Sequence, residues 1–502
     1  MAGPKILIVG AGPTGLMLAL SLARRGIAFR IIDRNSGPGQ ASRALVVHAR
    51  TLEFYRQLGL GEAVDGLGAV TERVRLRRGG AELAGVSFKD MGVGLSPFPF
   101  ALGLAQDEHA RFLTGQLTRE GVAIEWGVTL AGLVQDAEAA EATLAGAAGQ
   151  ELAKFSYVCG CDGAHSAVRP MLGLDFPGGT YSQLFYVADV ETAAPTGGQL
   201  TVNLADDGFL LTLPVRTTGA LRLVGIVPDA MSGRTGLTFA DVKAAAERQM
   251  SETVLRVNWF AAYHAHHRVA AHFQVGRGFL LGDAGHVHSP AGAQGLNTGI
   301  GDAVNLAWKL ADVVQGRAPP ALLESYEAER IAFARKLVST TDLFFRAIAG
   351  SGAASRALRS WIIPALAPLA MRFAAVRRLM FLTISQIRIR YPDSPLSAGS
   401  AGGVRGGDRL PWVSGEGGDN FAPLRSLRWQ VHVYGTTKAL DAMAQALNLP
   451  VHRFAWSARA KAAGLAEDAV YLVRPDGHVA LAMAKAEPGA LAAYARERAL
   501  TF

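Results

Sequence analysis

The sequence predicts a mixed α/β (α+β) protein. A Rossmann-like nucleotide-binding domain carries an inserted antiparallel sheet, and a further α/β unit ends the chain. Three observations predict this. A strand, glycine turn, helix and strand fill residues 5–33; short strands with turn signals crowd residues 176–275; strands alternate with helices again after residue 425. At 502 residues the chain is too long for one ordinary core, which suggests two or three domains.

The first element, KILIV (5–9), is a β-branched apolar run of buried-strand type. GAGPTG follows, with Gly10, Gly12 and Gly15 in G-x-G-x-x-G spacing. LMLALSLARRG continues as a helix that closes at Gly26, and IAFRIID is a strand ending on Asp33. In that context Gly10 permits a tight turn, Gly12 lets backbone approach a pyrophosphate, and Gly15 lets helix and strand pack closely. Pro13 and Thr14 complete the turn. The helix start offers amides and a positive dipole end, and Asp33, followed by Arg34, can accept a ribose hydroxyl. The fingerprint does not separate NAD from FAD.

FSYVCGCDGAHSAVRPMLG (155–173) reads as a strand, a Cys-Asp-Gly turn and a helix beginning near His165. Asp162 sits just past the strand end, where open α/β sheets place ligands, although an isolated Asp-Gly is also a plain turn. SQLFYVADVE, GQLTVNLA, GFLLTLPVR and ALRLVGIVP read as an antiparallel sheet walling a pocket. Tyr186, Phe209 and Arg216 lie on or beside these strands and are candidate substrate contacts; sheet packing or a solvated edge is the competing reading. GRGFLLGD (276–283) is a turn and a short strand ending at Asp283. The glycine-rich loop after it leads into a helix starting near Leu296 or Asn297, with Ile300, Val304, Leu306, Ala307, Leu310 and Val314 at roughly helical spacing. Gly295, Leu296 and Asn297 thereby bring free amides and a positive helix end to one point.

Eight arginines and no acidic residue fall between Arg346 and Arg390, matching the formal net charge of +8. Arg372, Arg377, Arg378, Pro364 and Pro368 interrupt the apolar run there, so no membrane span is expected. The plain reading is a pair of amphipathic helices with solvated arginines. Docking to a membrane surface or a partner is the alternative, and no nucleic-acid motif accompanies the charge. A Pro/Gly/Ser linker follows Tyr391. Then come a strand (LRWQVHVYG), a helix (TKALDAMAQALNL), a strand (VHRFAW), a hairpin around Asp476-Gly477 and a helix over about 487–499.

Cys159 and Cys161, the only cysteines, are one residue apart, which points to a reducing, cytoplasmic setting; the N-terminal apolar run is too short for a signal peptide. His286 with His288, and His264 with His266 and His267, invite a metal. No cysteine cluster or H-E-x-x-H accompanies them, so none is expected. No second G-x-G-x-x-G follows a later strand, so a nicotinamide donor would visit rather than stay.

Three motifs in this order, GAGPTG, CDG and GDAGHVHSPAGAQGLN, resemble the group A flavoprotein aromatic hydroxylases, the para-hydroxybenzoate hydroxylase and phenol hydroxylase superfamily, over about residues 5–345. The resemblance implies a discontinuous FAD-binding domain (1–175 and 276–345), a substrate-binding β-sheet domain (176–275) and a basic helical connector (346–392). It also implies a thioredoxin-like domain without redox cysteines (393–502), structural or oligomeric in role, a homodimer included. GAGPTG and Asp33 would hold the ADP part of FAD, Asp162 would support the pyrophosphate side and transient NAD(P)H, and Asp283 would bind the ribityl chain. Pro290 and the backbone at Leu296 and Asn297 would lie against the isoalloxazine. ASRALVVHARTLEFYRQLGL (41–60) and LAQDEHARFL (104–113) are similar to family segments beside the flavin, which nominates Arg43 and Gln106. Gln294 stands where benzoate-using members often carry lysine. The implied activity is FAD-dependent hydroxylation of a phenolic or polyketide aromatic, using O2 and NADH or NADPH, through a C4a-hydroperoxyflavin. Pro290 and His288 would stand at the chemistry, His288 helping to deprotonate a phenol. Epoxidation, halogenation or reduction on the same fold, and a non-catalytic flavin-binding scaffold, are the competing readings; the halogenase W-x-W-x-I-P motif is absent.

Overall fold

The computed structural model describes residues 5–39, 45–193, 199–206, 208–215, 219–231, 233–289, 291–350, 352–415 and 418–502. Arg43, Arg216 and Pro290, nominated above, lie outside the described residues.

The opening residues form the strand Ile6–Val9, the helix Pro13–Ala23 and the strand Phe29–Asp33. They belong to a six-stranded sheet ordered Gln274–Val275, Gly278–Leu280, Tyr157–Gly160, Ile6–Val9, Phe29–Asp33, Glu125–Trp126. Neighbours run parallel except for the Gln274–Val275 hairpin. Three strands distant in sequence thus lie side by side, and their carboxyl ends, at Gly10, Cys161 and Leu281, meet at one edge. Open parallel sheets bind ligands at that edge.

The second sheet has eight strands and is not confined to residues 176–275. Its order is His286–Val287, Val254–Val269, Gly178–Thr192, Ala220–Ile226, Gly208–Val215, Gln199–Ala205, Arg73–Arg78, Ala81–Ser87. The Arg73–Arg78 strand joins in parallel to Gln199–Ala205, a pairing no local pattern announces. A helix unforeseen in this strand-rich stretch, Phe239–Met250, covers one face; a capping box of Thr238 and Asp241 starts it. At the other edge, Arg268 and Val269 pair with Val287 and His286, so the sheet runs directly into the Gly-Asp loop.

The helix after the Asp-Gly turn is Val168–Met171, not one beginning near His165. The Asp162 carboxylate accepts the N–H groups of Ala167 (2.6 Å) and Val168 (3.2 Å), so the helix starts only after its cap. The basic segment forms three helices rather than a pair, Ala353–Ala357, Ile363–Ala370 and Ala374–Ile384, with a π-turn over Leu358–Ile362. Arg377 donates to the carbonyls of Met371 (2.8 Å) and Arg372 (2.9 Å), closing the second helix before the third. Among the described residues, no helix is long and apolar enough to cross a membrane.

The C-terminal sheet centres on Gln430–Tyr434, Val451–Phe454, Val470–Val473 and Val479–Met483, the first two parallel and the last two a hairpin. Its helices are Asp441–Ala446 and Ala458–Ala462, with Pro488–Glu497 last.

Candidate functional site

At the shared carboxyl edge the turns interlock through missing side chains. Gly10 has φ +106°, and a Cβ there would lie 2.4 Å from the Cys161 carbonyl oxygen. A Cβ on Gly15 would lie 1.9 Å from the Gly10 oxygen, so the helix can start only against a bare turn. Gly12 differs: nothing lies within 4 Å of its Cβ position. That leaves open approach to the start of the helix, as a phosphate requires. Asp33 Oδ2 accepts the Ala11 N–H at 2.7 Å, and Oδ1 accepts the Asn35 N–H at 2.8 Å. The carboxylate is thereby oriented at the strand end with lone pairs to spare for a hydroxyl. Arg34 is exposed beside it.

The Gly-Asp loop closes on the same turn. Gly282 has φ +58°, its Cβ position 2.7 Å from Thr14 Oγ1, and the Cβ position of Gly299 is 2.3 Å from that oxygen. Thr14 is thus wedged between the loop and the helix Gly295–Val314. Asp283 lies exposed in the turn Gly282–Ala284. Arg169, past the Asp-Gly turn, donates to the Ala284 carbonyl at 2.9 Å. The Thr298 N–H donates to Gln294 O at 2.9 Å as the first intrahelical bond. Helix geometry leaves the amides of Gly295, Leu296 and Asn297 ahead of it without an intrahelical acceptor. The Asn297 side chain is wholly engaged. Its oxygen accepts His48 N–H and Thr51 Oγ1, both at 2.8 Å, and its nitrogen donates to Val46 O (2.9 Å) and Ala293 O (3.0 Å). It therefore offers a ligand its backbone amide only.

Sequence reasoning missed the residues that fix this loop. His48 Nε2 donates to Gly292 O at 3.0 Å, and burial lowers its pKa to about 4, so the ring is neutral. Asp302 is fully buried. Its Oδ2 accepts Gly282 N–H (3.0 Å) and His286 Nε2 (2.7 Å), and its Oδ1 accepts Arg330 Nε (2.6 Å). Arg330 in turn donates to Thr298 O (3.1 Å) and the Tyr391 hydroxyl (2.9 Å). Burial opposes the Asp302 charge, but Arg330 and His286 outweigh it and the carboxyl sits below its usual range. From the connector, Gln386 donates to Gln294 Oε1 at 2.6 Å. The one signal in the sequence was an acid between apolar positions on the face of a buried helix.

His288 ends the arm paired to the large sheet. Its Nδ1 lies 2.8 Å from Ser289 O, and a carbonyl only accepts, so Nδ1 carries the proton and Nε2 keeps a lone pair. Nε2 is buried without a partner, 3.8 Å from the Cβ position of Gly295. Burial lowers the ring's pKa to about 4. Gln106 begins the helix Gln106–Arg119, just past a strand bonded to the segment at Val46. Of the two described pocket candidates, Phe209 packs with Phe185, Leu204 and Phe345. Leu211, one turn of the pleat further along, also reaches the cluster holding Leu213, Val215 and Ala293 of the Gly-Asp loop. Tyr186 is not brought to the site. It packs with Phe239 and Val242 under the helix Phe239–Met250, because strand alternation turns it to the opposite face from Phe185.

The residues fit an FAD. The Gly12 opening, the oriented Asp33, the helix start at Gly295 and a buried, unpartnered Asp162 Oδ1 face one crevice edge. Such a sheet with such a roof defines a flavin-binding oxidoreductase. The chain belongs to the FAD binding domain family, whose model matches residues 4–341, and it is a flavin-dependent aromatic monooxygenase. Among its relatives is 6-methylpretetramide 4-monooxygenase of Streptomyces rimosus, 36% identical over 80% of this chain and 73% of that one. Rifampicin monooxygenase of Rhodococcus hoagii is 31% identical over 95% of this chain and 94% of that one. Among solved structures, the anhydrotetracycline hydroxylase OxyS of Streptomyces rimosus superposes with a TM-score of 0.75 at 30% identity, over 95% of each chain.

Proposed function

We propose that this protein hydroxylates a phenolic, polyketide-type aromatic, drawing electrons from NADH or NADPH and oxygen from O2. Gly10, Gly12, Pro13, Thr14, Gly15, Asp33 and Arg34 would hold the ADP part of FAD. Asp283 would hold the ribityl chain. Gln106 and the amides of Gly295, Leu296 and Asn297 would meet the ring system, with Arg43 and Pro290 contributing from outside the described residues. Bound FAD supplies the electron storage and oxygen activation that no side chain here offers. The amides place a fixed positive potential where the reduced ring is anionic, at no reorganisation cost. His288 Nε2 accepts the proton of the substrate hydroxyl, which raises electron density in the ring to be attacked. The apolar wall formed by Phe209, Leu211, Leu213 and Val215 orients a flat polycycle and keeps water out.

The single observation that carries this reading is the buried, unpartnered His288 Nε2, 3.8 Å from the Cβ position of Gly295, the first residue of the helix. A cationic group supports a visiting nicotinamide nucleotide. Burial lowers the His266 pKa and the Arg268 guanidinium lowers it further; Arg268 also lowers the pKa of Arg169, so two guanidinium groups lie near each other there. Pyrophosphate is the chemistry that such crowding favours. Cys159 and Cys161 are free and buried, which suits a reducing cytoplasm. We read residues 1–175 with 276–345 as the FAD unit, and the roof as 176–275 joined by Arg73–Ser87.

The test is direct. The purified protein is expected to be yellow and to oxidise NADH or NADPH faster when a polycyclic phenol is added, with a product heavier by one oxygen. Asp283→Ala is expected to lose flavin on desalting. A colourless wild type after FAD incubation, or full flavin occupancy in Asp283→Ala, would overturn the assignment.

A further inference from the structure

The connector presents an apolar stripe to solvent, and the protein holds it there firmly. Of the large apolar side chains exposed among the described residues, seven fall between Leu343 and Leu379: Leu343, Trp361, Ile362, Leu366, Leu369, Phe373 and Leu379. Ile362, Leu366 and Leu369 are spaced i, i+4 and i+7 across the π-turn and the helix Ile363–Ala370, and Phe373 follows at the break before the next helix. A soluble helix turns such a face inward. Here it points outward, with Trp361 75% exposed.

The stripe is not a loose end. Arg359 is buried and donates to the carbonyls of Ala205 (3.2 Å), Ile348 (2.5 Å), Gly350 (2.7 Å) and Asp206 (2.7 Å). Ser360 Oγ donates to Asp206 Oδ1. At the far end Phe381 is buried and packs edge-on against Phe88, ring centres 6.4 Å apart. The segment is clamped at both ends with its apolar residues outside, a pattern that marks an interaction surface.

Charge says what covers it. From Leu343 to Pro392 there is no acidic residue. Exposed Arg372 and Arg378 flank Phe373 and Leu379, and neither has an ion-pair partner among the described residues. A second copy docked face to face would bring these cations together, and a two-fold contact repeats every such clash. An anionic bilayer surface offers them counter-charge and takes the apolar side chains into its interface.

We propose that the stripe Trp361–Leu379 docks this protein peripherally on an anionic lipid surface. The inner sides of the same helices reach the apolar wall, through Ile363 and Phe381. On the functional reading above, an apolar aromatic could pass from the interface to the wall; the docking itself stands without that reading.

The flavin-loaded full chain is to be sedimented with vesicles of phosphatidylcholine alone and of phosphatidylcholine mixed with phosphatidylglycerol. Binding is expected to the mixture only, and to be lost in about 0.5 M salt, where charge is screened within about 4 Å. Arg372→Gln with Arg378→Gln is expected to weaken binding about 25-fold, at about fivefold per arginine. Trp361→Ala with Phe373→Ala is expected to weaken it at least about tenfold. Both pairs should keep their flavin, since they lie on the surface. No binding to the mixed vesicles, or equal binding to both kinds, overturns the proposal. So does a dimer in solution that the Trp361/Phe373 pair dissolves while vesicles bind nothing.

Discussion

His288 has one ring nitrogen committed and the other open, and that asymmetry sets its chemistry. The Ser289 carbonyl holds the proton on Nδ1, and burial lowers the pKa to about 4, so the ring is neutral across physiological pH. The depressed pKa makes the ring a weak base alone; it takes a hydroxyl proton as the phenolate forming beside it stabilises the imidazolium. His288→Gln is expected to keep flavin and lower kcat by about a hundredfold or more. Because a phenolate no longer needs the base, the variant's rate should rise with pH toward the substrate's own pKa, while the wild type stays level between about pH 6 and 9. A level profile in both, with equal kcat, would remove His288 from the chemistry. At this scale the glycines were legible, because the absence of a side chain is itself the signal. Tyr186 was not. Alternation sets Tyr186 opposite Phe185, but which face meets the site is decided by what packs on each, the helix Phe239–Met250 on one and Phe345 on the other, and the strand's own sequence does not carry that.

The helix Gly295–Val314 was legible as an element, from glycine loop to apolar periodicity, to within a residue or two of its start. What aims it was not. Asp302 looks like an interruption in its apolar face, yet it bonds the loop at Gly282 and His286 and, through Arg330, the first turn at Thr298. Those partners lie on other elements, and contacts at such separation leave no local pattern. The same limit hid His48 and Gln386, and it hid the strand Arg73–Arg78 in the large sheet. Asp302→Asn turns one acceptor into a donor facing donors and leaves Arg330 buried beside a neutral group. The expected cost is about 3–5 kcal/mol of stability. Urea unfolding followed by flavin fluorescence checks it, and flavin should also dissociate earlier than in wild type. An unchanged midpoint with unchanged flavin retention would make Asp302 incidental to the loop.

The C-terminal unit is sealed to the flavin-binding part by buried charge as well as by apolar contact. Trp429 meets Trp308 edge-on at 5.3 Å, and Arg474 bonds Glu329 at 2.6 and 3.0 Å, with Lys309 2.9 Å from the same carboxylate. Burial opposes the Glu329 charge, but Arg474 and Lys309 prevail and hold its pKa well below the carboxylate range. Five buried or half-buried histidines lie in the two parts, three in the flavin-binding part and two in the C-terminal unit. Burial lowers His48, His109, His288 and His478 to about 4 and His432 to about 3. The unfolded chain binds protons at these rings below about pH 6.5, where the native rings refuse them. Stability is therefore full above about pH 7 and falls as pH drops from about 6.5 to 4, each ring contributing up to about 1.4 kcal/mol per pH unit. Glu329 works in the same direction lower down: its contribution is present above about pH 4.5 and is lost as pH falls toward its depressed native pKa. The urea midpoint is accordingly expected to be constant from about pH 7 to 8 and to decline steeply below about pH 6.5, before any carboxylate protonates. A midpoint that holds level down to about pH 5 would show that these imidazoles reach solvent in the native protein, and the neutral state assigned to His288 would fall with it.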